Sequence, residues 1–217
     1  MERRTALKNM GQAFGYAAAT PTLLGLIHSC SIRKLLDWTP SFFTKDEGVA
    51  IHTLLDIILP KTDTPSATEL NLHVFVDKMA KDVLPPEHQD FLRLGMNEFF
   101  GKVLAKSEKE SLGDLNEENW IPALKTYLKK RPKDVEKAHN KAIESYFMTV
   151  EQNGSAVLDN EIAQYSFAHS IRDISVWAYK NSKYVGEEVL AYLPIPGEYV
   201  PCESAETLTQ GRAWSLS

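Results

Sequence analysis

Hydrophobic positions recur at three- and four-residue intervals through most of the chain, which is the spacing of one face of an α-helix. The clearest run lies between Thr44 and Pro60, and Glu47 stands three residues after Thr44, in the spacing of a capping box. Its apolar stripe consists of Ile51, Leu54, Leu55 and Ile58. The pattern therefore predicts a helix over residues 44–59.

The same spacing predicts five further helices, separated by loops that mostly contain proline. The apolar markers of the second helix are Val74, Phe75, Met79 and Val83, and those of the third are Phe91, Leu92, Met96, Phe99, Phe100 and Val103. The fourth helix runs from about Trp120 to Lys130. The markers of the fifth are Val135, Ala138, Ala142, Ile143, Tyr146 and Phe147, and those of the sixth are Ile162, Tyr165, Ile171, Ile174 and Ala178. Pro122 requires its helix to begin close to Asn119, so that the proline lies in the first turn. No segment alternates with a two-residue period, and the sequence predicts an all-α fold, an irregular bundle of about six helices.

Residues 184–217 depart from the helical pattern. They include GEEVLAYLPIPGEYVPCE, which is rich in proline and tyrosine. Each proline fixes φ and withholds a backbone donor, so an extended segment that loses little entropy on binding is expected. Tyrosine is also favoured in interface hot spots. The segment is therefore predicted to be an extended arm that binds a partner; packing across the chain's own helices is the alternative, and both can hold.

Residues 1–30 have the composition of an export signal. Two adjacent arginines precede a weakly apolar run that glutamine, glycine and proline interrupt, which suits a signal better than a membrane span. The residues that fit a twin-arginine signal are Arg3, Arg4, Leu7 and Lys8. Glu2 and Ala6 depart from that pattern. We therefore predict export of the folded chain by the twin-arginine route, with residues 31–217 forming a single helical domain.

The predicted signal ends in LIHSC, which resembles a lipobox in which Cys30 would be acylated after cleavage. Ile27 and Ser29 suit that pattern, whereas His28 is unusual in the middle position. Two alternatives stay open: Cys30 closes an ordinary signal, or it forms a disulfide with Cys202 after export.

Composition argues against several classes of function. The net charge of −5 gives no support for nucleic-acid binding, and the basic triplet Lys129-Lys130-Arg131 ends a predicted helix, where cations are favoured. The two cysteines lack the spacing of haem, iron–sulfur or zinc sites. Paired Glu-x-x-His motifs, glycine-rich phosphate loops and G-x-S-x-G are absent from the sequence. We therefore predict no catalytic, cofactor-binding or metal-binding residue in this chain.

Two histidines have a carboxylate one helical turn away, His52 with Asp56 and His169 with Asp173. A carboxylate at this spacing commonly pairs the imidazole, so a solvated or capping role is favoured over a ligand role.

Two stretches of the sequence carry a family resemblance. One is YSFAHSIRDISVWAYKNSKYVGEEVLAYLPIPGEYVPC, followed by GRAW, and the other is LLDIILPKTDTPSATELN, with its P-x-T-D-T-P-S-A loop. Together they resemble the gluconate 2-dehydrogenase subunit 3 family, in which glycine is usual at Ser66 and aspartate is more common at Leu193. The residues predicted to bind the partner are Tyr192, Pro194, Pro196, Gly197, Tyr199, Cys202 and Trp214.

The resemblance implies a non-catalytic small subunit of a membrane-associated, flavin-dependent sugar or polyol dehydrogenase. The expected partners are a flavoprotein large subunit of the glucose–methanol–choline type, which carries FAD, and a c-type cytochrome, which carries haem. The small subunit is expected to bind, stabilise and co-export the large subunit into the periplasm, attached to the membrane by a lipid anchor or through the complex. Cys202 is expected to pair with a cysteine of the large subunit or to stay free at the interface. The alternative is a stand-alone periplasmic enzyme or ligand-binding lipoprotein.

Overall fold

Helices make up most of the regular structure in the computed structural model, which describes residues 38–192, 197 and 202–215. Seven α-helices lie in these residues: α1 (Lys45–Ile58), α2 (Leu72–Lys78), α3 (Pro86–Ser107), α4 (Glu117–Leu128), α5 (Lys133–Asn153), α6 (Asn160–Lys180) and α7 (Ala205–Thr209). π-Helical turns at Met79–Val83 and Val185–Val189 follow α2 and α6, and a 3-10 turn at Leu112–Asp114 precedes α4. The described residues form no strand, and the predicted all-α class is confirmed.

Several residues of the sequence predictions lie outside the described part of the chain. They are Arg3, Arg4, Leu7, Lys8, Cys30, Pro194, Pro196 and Tyr199. Within the described part, none of the helices combines the length and the apolar character needed to cross a membrane.

The first predicted helix is confirmed, together with its capping box. Thr44 Oγ1 accepts a hydrogen bond from the Glu47 amide at 3.3 Å, and Glu47 Oε2 accepts one from the Thr44 amide at 2.8 Å. These two contacts satisfy backbone donors that the first turn of a helix leaves without partners. The stripe of Ile51, Leu54 and Leu55 is buried, as the spacing predicts.

The loop that leads into α1 is fixed by two charged side chains from other helices. Asp77 on α2 accepts hydrogen bonds from the amides of Ser41, Phe42 and Phe43 at 2.7, 2.9 and 3.0 Å. Arg93 on α3 pairs with Glu47 at 2.8 Å, and it also donates to the Phe42 carbonyl and lies over the Phe42 ring. Because Asp77 is only 1% exposed, these three amides replace the water that its carboxylate loses on burial.

The second predicted helix is present, but its buried face differs from the apolar markers. Phe75 is 39% exposed and Val83 is 67% exposed. The buried face consists of Leu72, His73, Val76, Asp77 and Ala80. The contacts of Asp77 with the loop before α1 turn this polar side of the helix inward.

The fourth predicted helix begins earlier than Pro122 suggested. Asn116 and Asn119 form a reciprocal capping box, with amide-to-Oδ1 distances of 3.2 and 2.9 Å, and α4 therefore starts at Glu117. Pro122 consequently lies in the second turn, and the prediction that it lies in the first turn is wrong. The proline is exposed, and its carbonyl accepts a hydrogen bond from Thr126 Oγ1 at 2.8 Å.

The centre of the bundle lies where α3, α4 and α6 meet. Its largest buried side chains there are Phe99, Phe100, Trp120, Tyr127 and Phe167. Trp120 is fully buried and lies parallel to Phe99, with ring centroids 6.3 Å apart. Gly95 allows α3 to approach α6 closely, since a Cβ added there would stand 2.7 Å from the Ala163 carbonyl oxygen.

Helix α5 packs on the outside of this core. None of its 21 residues is fully buried, and Ala138, one of its predicted apolar markers, is exposed. Phe147 holds the helix to α3 by stacking with His88 at 4.6 Å and by a tilted contact with Phe91 at 4.9 Å.

Candidate partner-binding surface

The C-terminal segment begins with a compact turn after α6. Ser182 Oγ donates to the Tyr179 carbonyl at 2.8 Å and accepts from the Val185 amide at 3.3 Å. The π-helical turn Val185–Val189 follows, and the Val185 side chain is buried. The start of the arm is therefore anchored on the end of α6 rather than extended from it.

Two backbone hydrogen bonds tie the beginning of the segment to its end. The Ala191 amide donates to the Ala213 carbonyl at 2.8 Å, and the Ser215 amide donates to the Ala191 carbonyl at 3.1 Å. They form an isolated parallel bridge between Ala191 and Trp214. Arg212 Nη1 adds a contact with the Glu188 carbonyl at 3.5 Å. Residues 188–191 therefore lie against residues 212–215.

The bridge brings together residues from the two ends of the predicted arm. Tyr192 is 45% exposed and Trp214 is 41% exposed, so both retain large aromatic surface in contact with solvent. Gly197 and Cys202 are also exposed. The structure adds Leu208 of α7, at 45% exposure, which the sequence interpretation missed because that short helix had not been predicted. Contact of these residues with a partner stays a prediction.

A second group of exposed aromatic side chains lies where α2 meets α6. Phe75 and Trp177 lie with ring centroids 5.7 Å apart, and Trp177 is 54% exposed. Tyr184, at 38% exposure, follows the end of α6 and precedes the π-helical turn Val185–Val189. Phe75 is one of the predicted helix markers and Trp177 is part of the family signature, and the sequence predicts a binding surface at neither residue.

The loop with the TDTPSA sequence lies between α1 and α2 in the chain, and this region contacts both α1 and α6. Asp56 accepts hydrogen bonds from the Thr68 amide and hydroxyl, the latter at 2.7 Å, and Tyr179 OH donates to Thr64 Oγ1 at 2.6 Å. At the loop's surface Lys61 Nζ lies 2.5 Å from Glu69 Oε1, and the Ser66 amide donates to Glu69 Oε2. These two hydrogen bonds lower the pKa of the Glu69 carboxyl. The hydrogen bond from Tyr179 holds the end of α6 against this loop.

His169 and Asp173 take separate partners. His169 Nε2 lies 3.1 Å from the Tyr127 carbonyl, and Arg172 Nε donates to Asp173 Oδ1 at 2.8 Å. Burial, followed by the charge of Arg172, lowers the pKa of His169.

The half-buried His52 lies near the buried His73. Its ring centroid is 5.0 Å from that of His73, which is in turn 5.4 Å from Trp38. Asp56, the carboxylate one turn away, binds Thr68 as described above. Within residues 38–192, 197 and 202–215, no three His, Cys, Asp or Glu side chains are grouped so that they could hold a metal ion.

The described residues thus form a helical bundle in which a backbone bridge joins two stretches of the C-terminal segment, and this segment exposes aromatic side chains, the residue types that protein interfaces favour. The family model for gluconate 2-dehydrogenase subunit 3 matches residues 45–197, and the chain belongs to this family. It is therefore a small subunit of the dehydrogenase-complex type. No curated protein and no solved structure matches the chain.

Proposed function

We propose that this chain is the non-catalytic small subunit that binds, stabilises and co-exports the flavoprotein large subunit of a sugar or polyol dehydrogenase. The large subunit is of the glucose–methanol–choline type and carries FAD, and a c-type cytochrome with haem accepts the electrons. The observation that supports this proposal best is the backbone bridge between Ala191 and Trp214, which ties together two stretches that each carry an exposed aromatic side chain, Tyr192 and Trp214. A bridge of this kind fixes the backbone that carries both rings, so less conformational entropy is lost on docking.

The proposal assigns the signal and the membrane attachment to the N-terminal residues. Arg3 and Arg4 direct the folded complex into the twin-arginine route, and Cys30 or the complex itself holds it at the periplasmic membrane surface. Replacing both arginines with lysine should keep the large subunit as well as the small one inside the cell. Export of the large subunit without the small one would contradict the co-export role.

The docking surface is tested in the purified complex with Tyr192→Ala and Trp214→Ala. A hot-spot aromatic contributes about 2 kcal/mol or more, so each change should weaken binding of the flavoprotein about 30-fold. Met148→Ala, which truncates a side chain that is 53% exposed on α5, is the matched control and should leave the affinity unchanged. Equal affinities for all three variants would overturn the assignment of this surface. Oxidation of a sugar by the purified chain alone, with an artificial acceptor, would overturn the subunit role.

Cys202 gives the proposal a second, chemical test. Its side chain is exposed and its φ of 61° is left-handed, so the cysteine lies on a tight turn at the surface of the arm. We propose that it pairs with a cysteine of the large subunit or stays free at the interface. Electrophoresis of the complex without reductant distinguishes the two arrangements, and loss of the cross-linked species in Cys202→Ser would identify the bond.

A further inference from the structure

A groove lined by apolar side chains lies between the C-terminal end of α1, α4 and α6. Its apolar lining consists of Ile57, Ile58, Ile121, Leu124, Leu128 and Val176. The groove has a volume of about 640 Å³, within the range of roughly 300–1,000 Å³ that is typical of binding sites. Most of these side chains are only half-buried, and Val176 is 37% exposed. A partner that covers the groove would therefore remove apolar surface from water.

The charged side chains that line the groove are all cations, although the chain as a whole has a net charge of −5. They are Lys125, Lys129 and Arg172. Arg172 is paired with Asp173 at 2.7 Å. Neither lysine forms an ion pair with any residue that the structure describes. The groove is thus positively charged on a chain whose net charge is negative, and Lys125 and Lys129 are available to an acidic partner.

The spacing of the two lysines suggests the shape of that partner. Lys125 lies in the last turn of α4, and Lys129 is its C-cap residue, whose φ of −61° is still helical. Side chains four residues apart on a helix lie on one face, with Cβ atoms about 5–6 Å apart. Carboxylates one turn apart on a partner helix have the same spacing. An amphipathic helix of this kind would place its apolar stripe on the isoleucines and leucines, which is a common mode of peptide recognition.

A second exposed apolar surface lies next to the groove residue Val176 in the chain. Val176 precedes Trp177 on α6, and Trp177 contacts Phe75 with ring centroids 5.7 Å apart. Adjacent residues of a helix point in different directions, so these two exposed rings form an apolar contact surface of their own.

We propose that this groove binds an acidic amphipathic helix of the flavoprotein large subunit, with carboxylates one turn apart on Lys125 and Lys129. The inference rests on the proposed function and adds a contact surface that is separate from the C-terminal segment. Opposite charges across an interface speed association and reject partners of the wrong charge. Binding through the groove therefore selects a partner by charge, and its association rate should fall as salt is added.

The test is a double charge reversal, Lys125→Glu with Lys129→Glu, in the full chain titrated with the co-purified large subunit. We expect the affinity to fall at least about tenfold and the salt dependence of association to weaken or reverse. Lys133→Glu with Lys137→Glu is the matched control, since these lysines are also four apart and exposed, but lie on α5. Control and groove variants of equal affinity would overturn the proposal.

Zero-length cross-linking of the wild-type complex with a carbodiimide identifies the partner segment directly. We expect Lys125 and Lys129 to be joined to carboxylates that lie on one helix of the large subunit. A complex that assembles and is weakened by Tyr192→Ala, yet gives no cross-link at these lysines, would overturn the groove proposal and leave the subunit role intact. Failure of any flavoprotein to co-purify would instead count against the subunit role.

A lipid is the other occupant with matching chemistry. Vesicles of phosphatidylglycerol and phosphatidylcholine should bind the wild type and the groove variant equally if the groove holds a protein helix. Loss of vesicle binding in the groove variant, with unchanged affinity for the large subunit, would assign the groove to an anionic lipid and overturn the proposal.

Discussion

Replacement of Gly95 with alanine tests how closely the two central helices pack. Gly95 lies on α3 and faces α6. An alanine Cβ at this position would stand 2.7 Å from the Ala163 carbonyl oxygen and 3.0 Å from Phe167 Cβ. Carbon–oxygen contacts across packed helices are normally about 3.3–3.6 Å. The oxygen belongs to the backbone of α6, so relief requires a shift of the whole helix rather than of one side chain.

Two opposing terms set the size of the effect. Alanine is favoured over glycine in a helix interior by about 0.8–1.0 kcal/mol. Overpacking of a core costs about 1–3 kcal/mol, and the upper part of this range applies because Phe167 is only 2% exposed and has little room to move. Gly95→Ala should therefore lower the free energy of unfolding by about 2 kcal/mol.

Gly101 provides a control on the same helix. An added Cβ at Gly101 meets no atom within 4 Å, and the residue is exposed. Gly101→Ala should therefore gain the helix-propensity term alone and raise the free energy of unfolding by up to about 1 kcal/mol. The two alanine variants should thus change stability in opposite directions, with a difference of about 3 kcal/mol.

Urea unfolding followed by far-ultraviolet circular dichroism measures both free energies. The slope of free energy against urea concentration should be unchanged, so that a change in midpoint reports stability alone. Equal stabilisation by the two variants would refute the close contact between α3 and α6. Equal destabilisation would refute the propensity argument.

Three other changes have outcomes that the structure specifies. Asp77→Asn should lower the free energy of unfolding by about 2–4 kcal/mol, because an NH2 donor replaces one of the two carboxylate oxygens that accept from backbone amides. The exposed Asp82→Asn is the control, and equal losses in urea unfolding would contradict this. Pro122→Ala should raise the free energy of unfolding by about 1–3 kcal/mol, because alanine restores a backbone amide that can donate within α4. A lower midpoint of thermal unfolding would contradict this. Burial lowers the pKa of His169 in the folded chain, so the unfolded state binds more protons below about pH 6.5 and stability falls as the pH is lowered through this range. His169→Gln should flatten this dependence between about pH 5 and 7, and an unchanged slope would argue against it.

The sequence alone predicted the helix boundaries that depend on residues only a few positions apart. The capping box of Thr44 and Glu47 and the stripe that follows it determined α1 correctly. Asn116 and Asn119 carry an equally local signal that gives the true start of α4, whereas Pro122 alone predicts a later one. The family match over residues 45–197 confirms the resemblance carried by the TDTPSA loop and the α6 sequence.

The features that were missed depend on contacts between distant residues. The buried face of α2 is set by hydrogen bonds that Asp77 accepts from a loop more than thirty residues earlier, and no periodicity within the helix contains that information. The bridge between Ala191 and Trp214 likewise joins two ends of the arm. Residue type alone identified Tyr192 as a candidate contact, whereas the groove beside Lys125 exists only after α1, α4 and α6 have packed.

The peripheral packing of α5 gives the bundle an uneven distribution of stability. Opening a helix without fully buried side chains exposes little apolar surface, so its local opening costs less free energy than global unfolding. The amide protons of α5 should therefore exchange with deuterium well before those of α3 and α6. Proteases should make their first cuts in α5 as well, and the core around Trp120 should still hold its helices together when they do.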